Sequence, residues 1–221
     1  INGIDSSPDV LNDLVIEEDG SRIEESLSVK KDADSENHLY LVFSIDSSRS
    51  ISKKFLKKIK KSARDIAGGI GEKDKIAVYR FNDNVELLNS FSRNTDEILD
   101  SIDGIKRHGN RTLLYTSIYD SIELLDKVRL INKKVIVFTD GKDEGSSVDE
   151  EDVIQFANNA MIPIYFICCK DSKNIGSMVR ISKRTGGRLI CSNSNDVSGM
   201  YRAVLSVMKD RYTASYTTKL N

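Results

Sequence analysis

Long apolar runs are missing from this sequence. No stretch reaches about 18 apolar residues, which excludes a membrane-spanning helix. Net charge is nearly missing as well. The formal value is -1, so global charge predicts neither nucleic-acid nor membrane binding. Cysteine is scarce: Cys168, Cys169 and Cys191 are too few for a disulfide scaffold, and no Cys-x-x-Cys pair points to zinc or thiol redox chemistry. Neither a Gly-x-Gly-x-x-Gly loop nor a Walker loop occurs, so nucleotide chemistry has no support. Internal repeats and low-complexity tracts are also lacking. No segment reads as a signal peptide, but the chain opens on Ile1 rather than Met, so that says little about location.

What remains suits one medium domain with an appendage: 221 residues, 39% hydrophobic and 30% charged. The charge is unevenly spread. Residues 1–37 carry eleven Asp or Glu against three Lys or Arg, so the remainder is net basic. Leu14 to Gly20 reads as a strand entering an Asp-Gly turn, and Ile23 to Val29 as its returning partner. Residues 30–37 read as a polar linker. Strands and helices then alternate. Strands are expected at Leu39–Ile45, Lys75–Phe81, Val85–Phe91, Lys134–Thr139, Ile162–Cys168 and Arg188–Cys191. Helical periods occupy Ser50–Ile66, Thr95–Ile102, Leu113–Val128, Val148–Ala160, Asn174–Thr185 and Asp196–Lys209. Tyr212 to Thr218 alternates with period two, a half-exposed strand suited to pairing with the N-terminal segment. The expected fold is α/β: a doubly wound, mostly parallel six-stranded sheet flanked by helices, with a small β appendage from the chain ends. The divisions are 1–37, 38–209 and 210–221.

Three short stretches carry the chemistry. Asp46, Ser48 and Ser50 lie in Ile45-Asp-Ser-Ser-Arg-Ser-Ile51, Thr112 in Gly109-Asn-Arg-Thr-Leu-Leu-Tyr115, and Asp140 in Phe138-Thr-Asp-Gly141. Each borders an apolar segment. A parallel sheet delivers its strand ends to one edge, where distant residues can meet. Two carboxylates and three hydroxyls at one point suit a hard divalent cation rather than zinc. Taken singly, each stretch has a plainer reading. Ser48 or Ser50 could cap the following helix, and Asp140-Gly141 could be an ordinary turn.

Taken together and in this order, the three stretches resemble the von Willebrand factor type A family. Asp46-Ser-Ser-Arg-Ser50 is similar to the Asp-x-Ser-x-Ser motif of that family's metal-ion-dependent adhesion site. Thr112 fits the threonine of its second motif and Asp140 the aspartate of its third. Lys73 to Asn82, Val85 to Phe91, Ile162 to Phe166 and Thr185-Gly-Gly-Arg188 look like its second, third, fifth and sixth strand regions. The resemblance covers roughly residues 38–209. It implies strand order 3-2-1-4-5-6, with Ser48 and Ser50 binding Mg²⁺ directly (Mn²⁺ or Ca²⁺ as substitutes). Asp46 and Asp140 would act partly through water, and Thr112 would enter or leave with conformation. Two departures stand out: Arg49 and Asn110 occupy positions where Gly is common, and Asn tolerates positive φ.

The function expected on this basis is cation-dependent protein binding, in which a partner's Glu or Asp completes the metal's coordination. Arg49, Asn110, Arg111, Lys142 and Asp143 would form the rim. The alternative is a structural assembly subunit whose metal is a clip. An enzyme is not expected, because no general base has a clear role. The resemblance with its β appendage leans toward an extracytoplasmic or cell-surface setting. The acidic run Lys142–Asp152 reads as the charged start of a helix, favoured by the macrodipole. Lys53, Lys54, Lys57, Lys58, Lys60, Lys61 and Arg64 read as a solvated helix face, with a polyanion or anionic-lipid site as the alternative. His108 reads as an exposed loop residue. A bridge from Cys168 or Cys169 to Cys191 stays open, with buried free thiols as the default.

Overall fold

A computed structural model of the protein describes residues 38–129, 132–169, 172 and 175–192, and the strand segments 16–18, 21–23, 28–31 and 212–215. The strands in chain order are β1 (Ile16–Glu18), β2 (Ser21–Ile23), β3 (Ser28–Lys31), β4 (Tyr40–Asp46), β5 (Lys75–Phe81), β6 (Val85–Ser92), β7 (Lys133–Phe138), β8 (Ile164–Cys169), β9 (Leu189–Ser192) and β10 (Tyr212–Ser215). The helices are α1 (Lys53–Ala67), α2 (Thr95–Gly104), α3 (Leu114–Asp126), α4 (Glu150–Asn159) and α5 (Ile175–Arg184). The helix expected at Asp196–Lys209 lies outside the described residues.

Six strands form one sheet in the order β6-β5-β4-β7-β8-β9. All neighbours are parallel except β5 and β6, which are antiparallel. The doubly wound architecture follows from the apolar pattern. Side chains alternate across a strand, so β4 must satisfy two faces. Leu41, Phe43 and Ile45 pack with α1 and α2, while Val42 packs with α3, α4 and α5 in a second core. Every residue of β4 from Leu41 to Asp46 is buried. That makes β4 a rigid rod that ends in a carboxylate. β4 lies between β5 and β7, so the crossovers leave it in opposite directions and a crevice opens at the carboxyl ends of β4 and β7.

Several boundaries differ from the sequence reading. The helix expected from Ser50 begins at Lys53, because Ser52 Oγ accepts the Phe55 amide at 3.0 Å and serves as N-cap. Ser48 and Ser50 are therefore not spent on capping. Asn94 caps α2, its side-chain oxygen accepting the Asp96 amide at 3.1 Å. β1 and β2 pair antiparallel, and the described part of the expected return strand is Ser21–Ile23. β3 instead pairs antiparallel with β10, so residues 30 and 31 are strand rather than linker. The free-thiol default is also overturned. Cys168 and Cys191 face each other in the β8–β9 register, Cα atoms 4.6 Å apart, and are joined by a disulfide. Gly187 precedes the edge strand where a Cβ would lie 1.9 Å from the Ile164 carbonyl oxygen, so only glycine lets the chain pass so close. Among the described residues no helix is long and apolar enough to cross a membrane.

Candidate functional site

The site begins where β4 runs out. Asp46 is fully buried, and both carboxylate oxygens are held from the protein: the Ser48 amide donates to Oδ1 at 2.8 Å and Thr139 Oγ1 donates to Oδ2 at 2.8 Å. Thr139 Oγ1 also accepts the Gly141 amide at 3.1 Å, which ties the ends of β4 and β7 together. Ser48 Oγ and Ser50 Oγ lie 2.8 Å apart. Ser48 is buried and Ser50 is exposed, so the pair leads from the interior to the surface.

Burial pushes the Asp46 carboxyl up to about 6, against the downward pull of the Ser48 and Thr139 hydrogen bonds; the nearby Asp140 charge pushes in the same direction as burial. Asp140 Oδ1 is itself buried and has no hydrogen-bond partner among the described residues. Two carboxylates thus sit within electrostatic reach of each other in a desolvated place, one with an oxygen left over. Among the described residues no group of three or more His, Cys, Asp or Glu gathers. The donor set is carboxylate and hydroxyl oxygen, which fits a hard divalent ion such as Mg²⁺ and does not fit zinc or copper.

The loop carrying Thr112 is sewn onto this edge by its backbone. His108 N donates to Ser47 O at 2.9 Å, and Arg49 N to Gly109 O at 3.4 Å. Glu144 N donates to Thr112 O at 2.8 Å, joining the loop to the segment after Asp140. Thr112 itself is buried. The left-handed residue of this loop is Gly109, with φ +82°, so Asn110 is not asked to adopt positive φ. A Cβ at Gly109 would press on Asn82 and Asp83 at 3.0 and 3.1 Å.

Asn82 and Asp83 were not among the residues picked from the sequence, yet they organise the loops. Asn82 Nδ2 donates to Ser47 Oγ at 3.0 Å, its side-chain oxygen accepts the Asn84 amide, and its carbonyl accepts Leu113 N. Asp83 Oδ1 accepts the Asn110 and Arg111 amides at 2.8 and 2.5 Å. The Arg111 and Asn110 amides hold its carboxyl below the usual range. The available clue was the polar triplet Asn82-Asp83-Asn84 between two strands.

The five expected rim residues separate into two groups. Arg49 and Arg111 are exposed, and Arg49 Nη1 donates to the exposed Asn110 Oδ1 at 3.0 Å. Lys142 is paired with Glu144. Asp143 is engaged by the fold: Oδ1 accepts Tyr115 N at 3.1 Å and Ser146 Oγ at 2.6 Å. α3 has no cap of its own, since Leu113 offers no side-chain acceptor, and Asp143 supplies one from another loop. The end of the acidic run does start α4, with Asp149 and Asp152 forming a capping box. His108 is exposed and within reach of Asn82 Nδ2.

The model of the von Willebrand factor type A domain matches residues 41–200. No match was found among curated proteins. Solved structures share the fold. An aerotolerance-related membrane protein from Bacteroides fragilis superposes with a TM-score of 0.65 at 12% identity, over 77% of this chain and 98% of that one. Proximal thread matrix protein 1 of the mussel byssus gives 0.67 at 17% identity, over 86% of this chain but 49% of that protein. The SpRpn10 VWA domain gives 0.60 at 12% identity, over 78% and 97%. Domains of this kind serve as protein-interaction or assembly modules. With its family model spanning most of the sequence and the sheet order matching, the chain belongs to the von Willebrand factor type A domain family.

Proposed function

We propose that this domain captures a partner protein through a metal-ion-dependent adhesion site, with a Glu or Asp of the partner as the captured group. The observation that carries the reading is the pair of crowded carboxylates: Asp46 raised by burial, and Asp140 with a buried oxygen that no described residue satisfies. Such a pair is unfavourable without a cation. Asp46, Ser48, Ser50, Thr112 and Asp140 are the residues that would hold Mg²⁺, with Mn²⁺ or Ca²⁺ as substitutes. The bound cation supplies an electrophilic centre for an external carboxylate. Thr139 and the Ser48 amide fix the Asp46 carboxylate in place. Arg49, Asn110 and Arg111 stand exposed beside the site and would favour an acidic partner.

The module is read as a binding protein and not an enzyme. An extracytoplasmic or cell-surface setting is supported by the Cys168–Cys191 bridge, since disulfides persist in oxidising compartments. Capture of proteins from a cell-surface pool, in Mg²⁺ and in chelator, tests the reading. Wild type should retain a partner in Mg²⁺ alone, and Asp46→Ala or Thr112→Ala should lose it while staying folded. Retention by either variant in chelator would sink the proposal. A large Mg²⁺-dependent rise in melting temperature, with no capture at all, would instead favour an assembly role with the metal as a clip.

A further inference from the structure

The outward face of α1 is cationic from Lys53 to Lys61. Phe55, Leu56, Ile59, Ala63 and Ile66 turn into the core. Lys53, Lys54, Lys57, Lys58 and Lys61 take the outward positions, exposed or half-buried, with Asp65 the one acid on the helix. From Lys53 to Lys61 these lysines span about 12 Å along the helix axis. Lys60 and Arg64 lie on the flank and are occupied: Lys60 Nζ donates to the Asp103 carbonyl at 2.8 Å, and Arg64 pairs with the Asp103 carboxylate.

This face continues to the site. Asp103 lies in the last turn of α2, and the loop that follows brings Lys106 and Arg107. Burial lowers the Lys60 ammonium; Asp103 opposes this, while Arg64 and Lys106 press it further down, which puts these cations within reach of one another. Arg107 Nη2 donates to the Arg49 carbonyl at 2.6 Å, and Arg49 reaches Asn110. A cationic band therefore runs from the flank of α1, over the loop after α2, to the rim beside Asp46.

We propose that this band is a docking surface for an acidic polypeptide segment of a partner protein. The idea leans on the carboxylate-capturing site only for the direction in which the band leads, because its ionic contacts require no metal. The chemistry of the band favours a peptide over other polyanions. The free cations of the helix are lysines, compact point charges suited to single carboxylates. The one guanidinium fork on α1, which would suit phosphate, is committed to Asp103. The outward face has no aromatic side chain to stack on a base. It also offers no large apolar side chain to a bilayer, since the exposed ones among the described residues, Leu87, Met161, Ile175 and Val179, lie elsewhere.

Fluorescence anisotropy with a labelled oligoglutamate peptide and the full chain tests the proposal. Part of the binding should persist in chelator and fall as salt rises. The quadruple variant Lys54→Glu, Lys57→Glu, Lys58→Glu, Lys61→Glu should weaken that part by about tenfold or more. Lys183→Glu, an exposed lysine on α5, should leave it unchanged. Circular dichroism checks that the variants fold. Unchanged binding by a folded quadruple variant would overturn the proposal, as would tighter binding of phosphatidylserine vesicles or duplex DNA than of oligoglutamate. Asp46→Ala separates the two ideas: it should remove only the increment that Mg²⁺ adds, so failure of the metal site and failure of the band read out in different arms.

Discussion

Asp46 and Asp83 follow neighbouring strands at the same edge of the sheet, and the fold treats them oppositely. Asp83 is exposed and accepts two backbone amides, which hold its carboxyl low. Asp46 is fully buried and its carboxyl is held high, at about 6. Asp140 and Asp143 repeat the contrast within one loop: the first has a buried oxygen without a partner among the described residues, whereas in the second Oδ1 accepts an amide and a hydroxyl and Oδ2 accepts the Ser146 amide at 3.3 Å. A carboxylate that the backbone saturates is scaffold. One that is desolvated beside another and left short of donors is a place where an external positive charge is stabilised most.

Mg²⁺ titration calorimetry breaks or sharpens this contrast most directly. Asp140→Asn should abolish detectable Mg²⁺ binding. Asp74→Asn, at the opposite edge, where the carboxylate accepts the Leu39 and Gly71 amides, should leave affinity within about twofold of wild type. Equal affinities in the two variants would erase the distinction.

The second effect is on stability against pH in chelator. The Asp46 carboxyl rises from 3.8 to about 6 on folding, so the folded state holds the proton more tightly than the unfolded chain. The protonated form is the stabilised one, and this contribution is lost as pH climbs from about 4 to about 6, amounting to about 3 kcal/mol. Urea unfolding should find Asp46→Asn level with wild type near the acid end of that window and more stable above it. A pH-independent difference between the two would contradict the assignment.

Smaller changes are expected from the saturated carboxylates. Asp83→Ala frees the amides of Asn110 and Arg111 and loosens the loop that carries Thr112, so Mg²⁺ affinity should fall about tenfold with the fold retained. Asp143→Ala removes the borrowed cap of α3 and should lower unfolding free energy by about 1 kcal/mol, read by denaturant titration. If Asp143→Ala cost more Mg²⁺ affinity than Asp140→Asn, the division into scaffold and site would be reversed.

Much of the fold was legible because its signals are local. The apolar run ending in Asp46 and the alternation of strand and helix periods follow from which side chains must leave water. The three stretches bearing Asp46, Thr112 and Asp140 could be picked out because each borders such a segment. Caps were less legible. Ser48, Ser50, Ser52, Asn94 and Thr95 all carry suitable oxygens, and only backbone geometry at each position selects Ser52 and Asn94. The role of Asp83 was hidden for another reason: its amide donors lie 27 and 28 residues away, and no local pattern encodes them.

The amino-acid sequence by itself determined the order and type of the central elements and the oxygen-rich ends of β4 and β7, since burial of alternating apolar side chains leaves little other choice. Only the tertiary structure decided which oxygens are spent and which are left over. The same edge gives Asp143 to α3, Asp83 to a neighbouring loop and Thr139 to Asp46. It likewise decided that Cys168, rather than its neighbour, meets Cys191, because strand register sets which side chains face each other. Those outcomes depend on distances across the sheet, and distance across the sheet is not written along the chain.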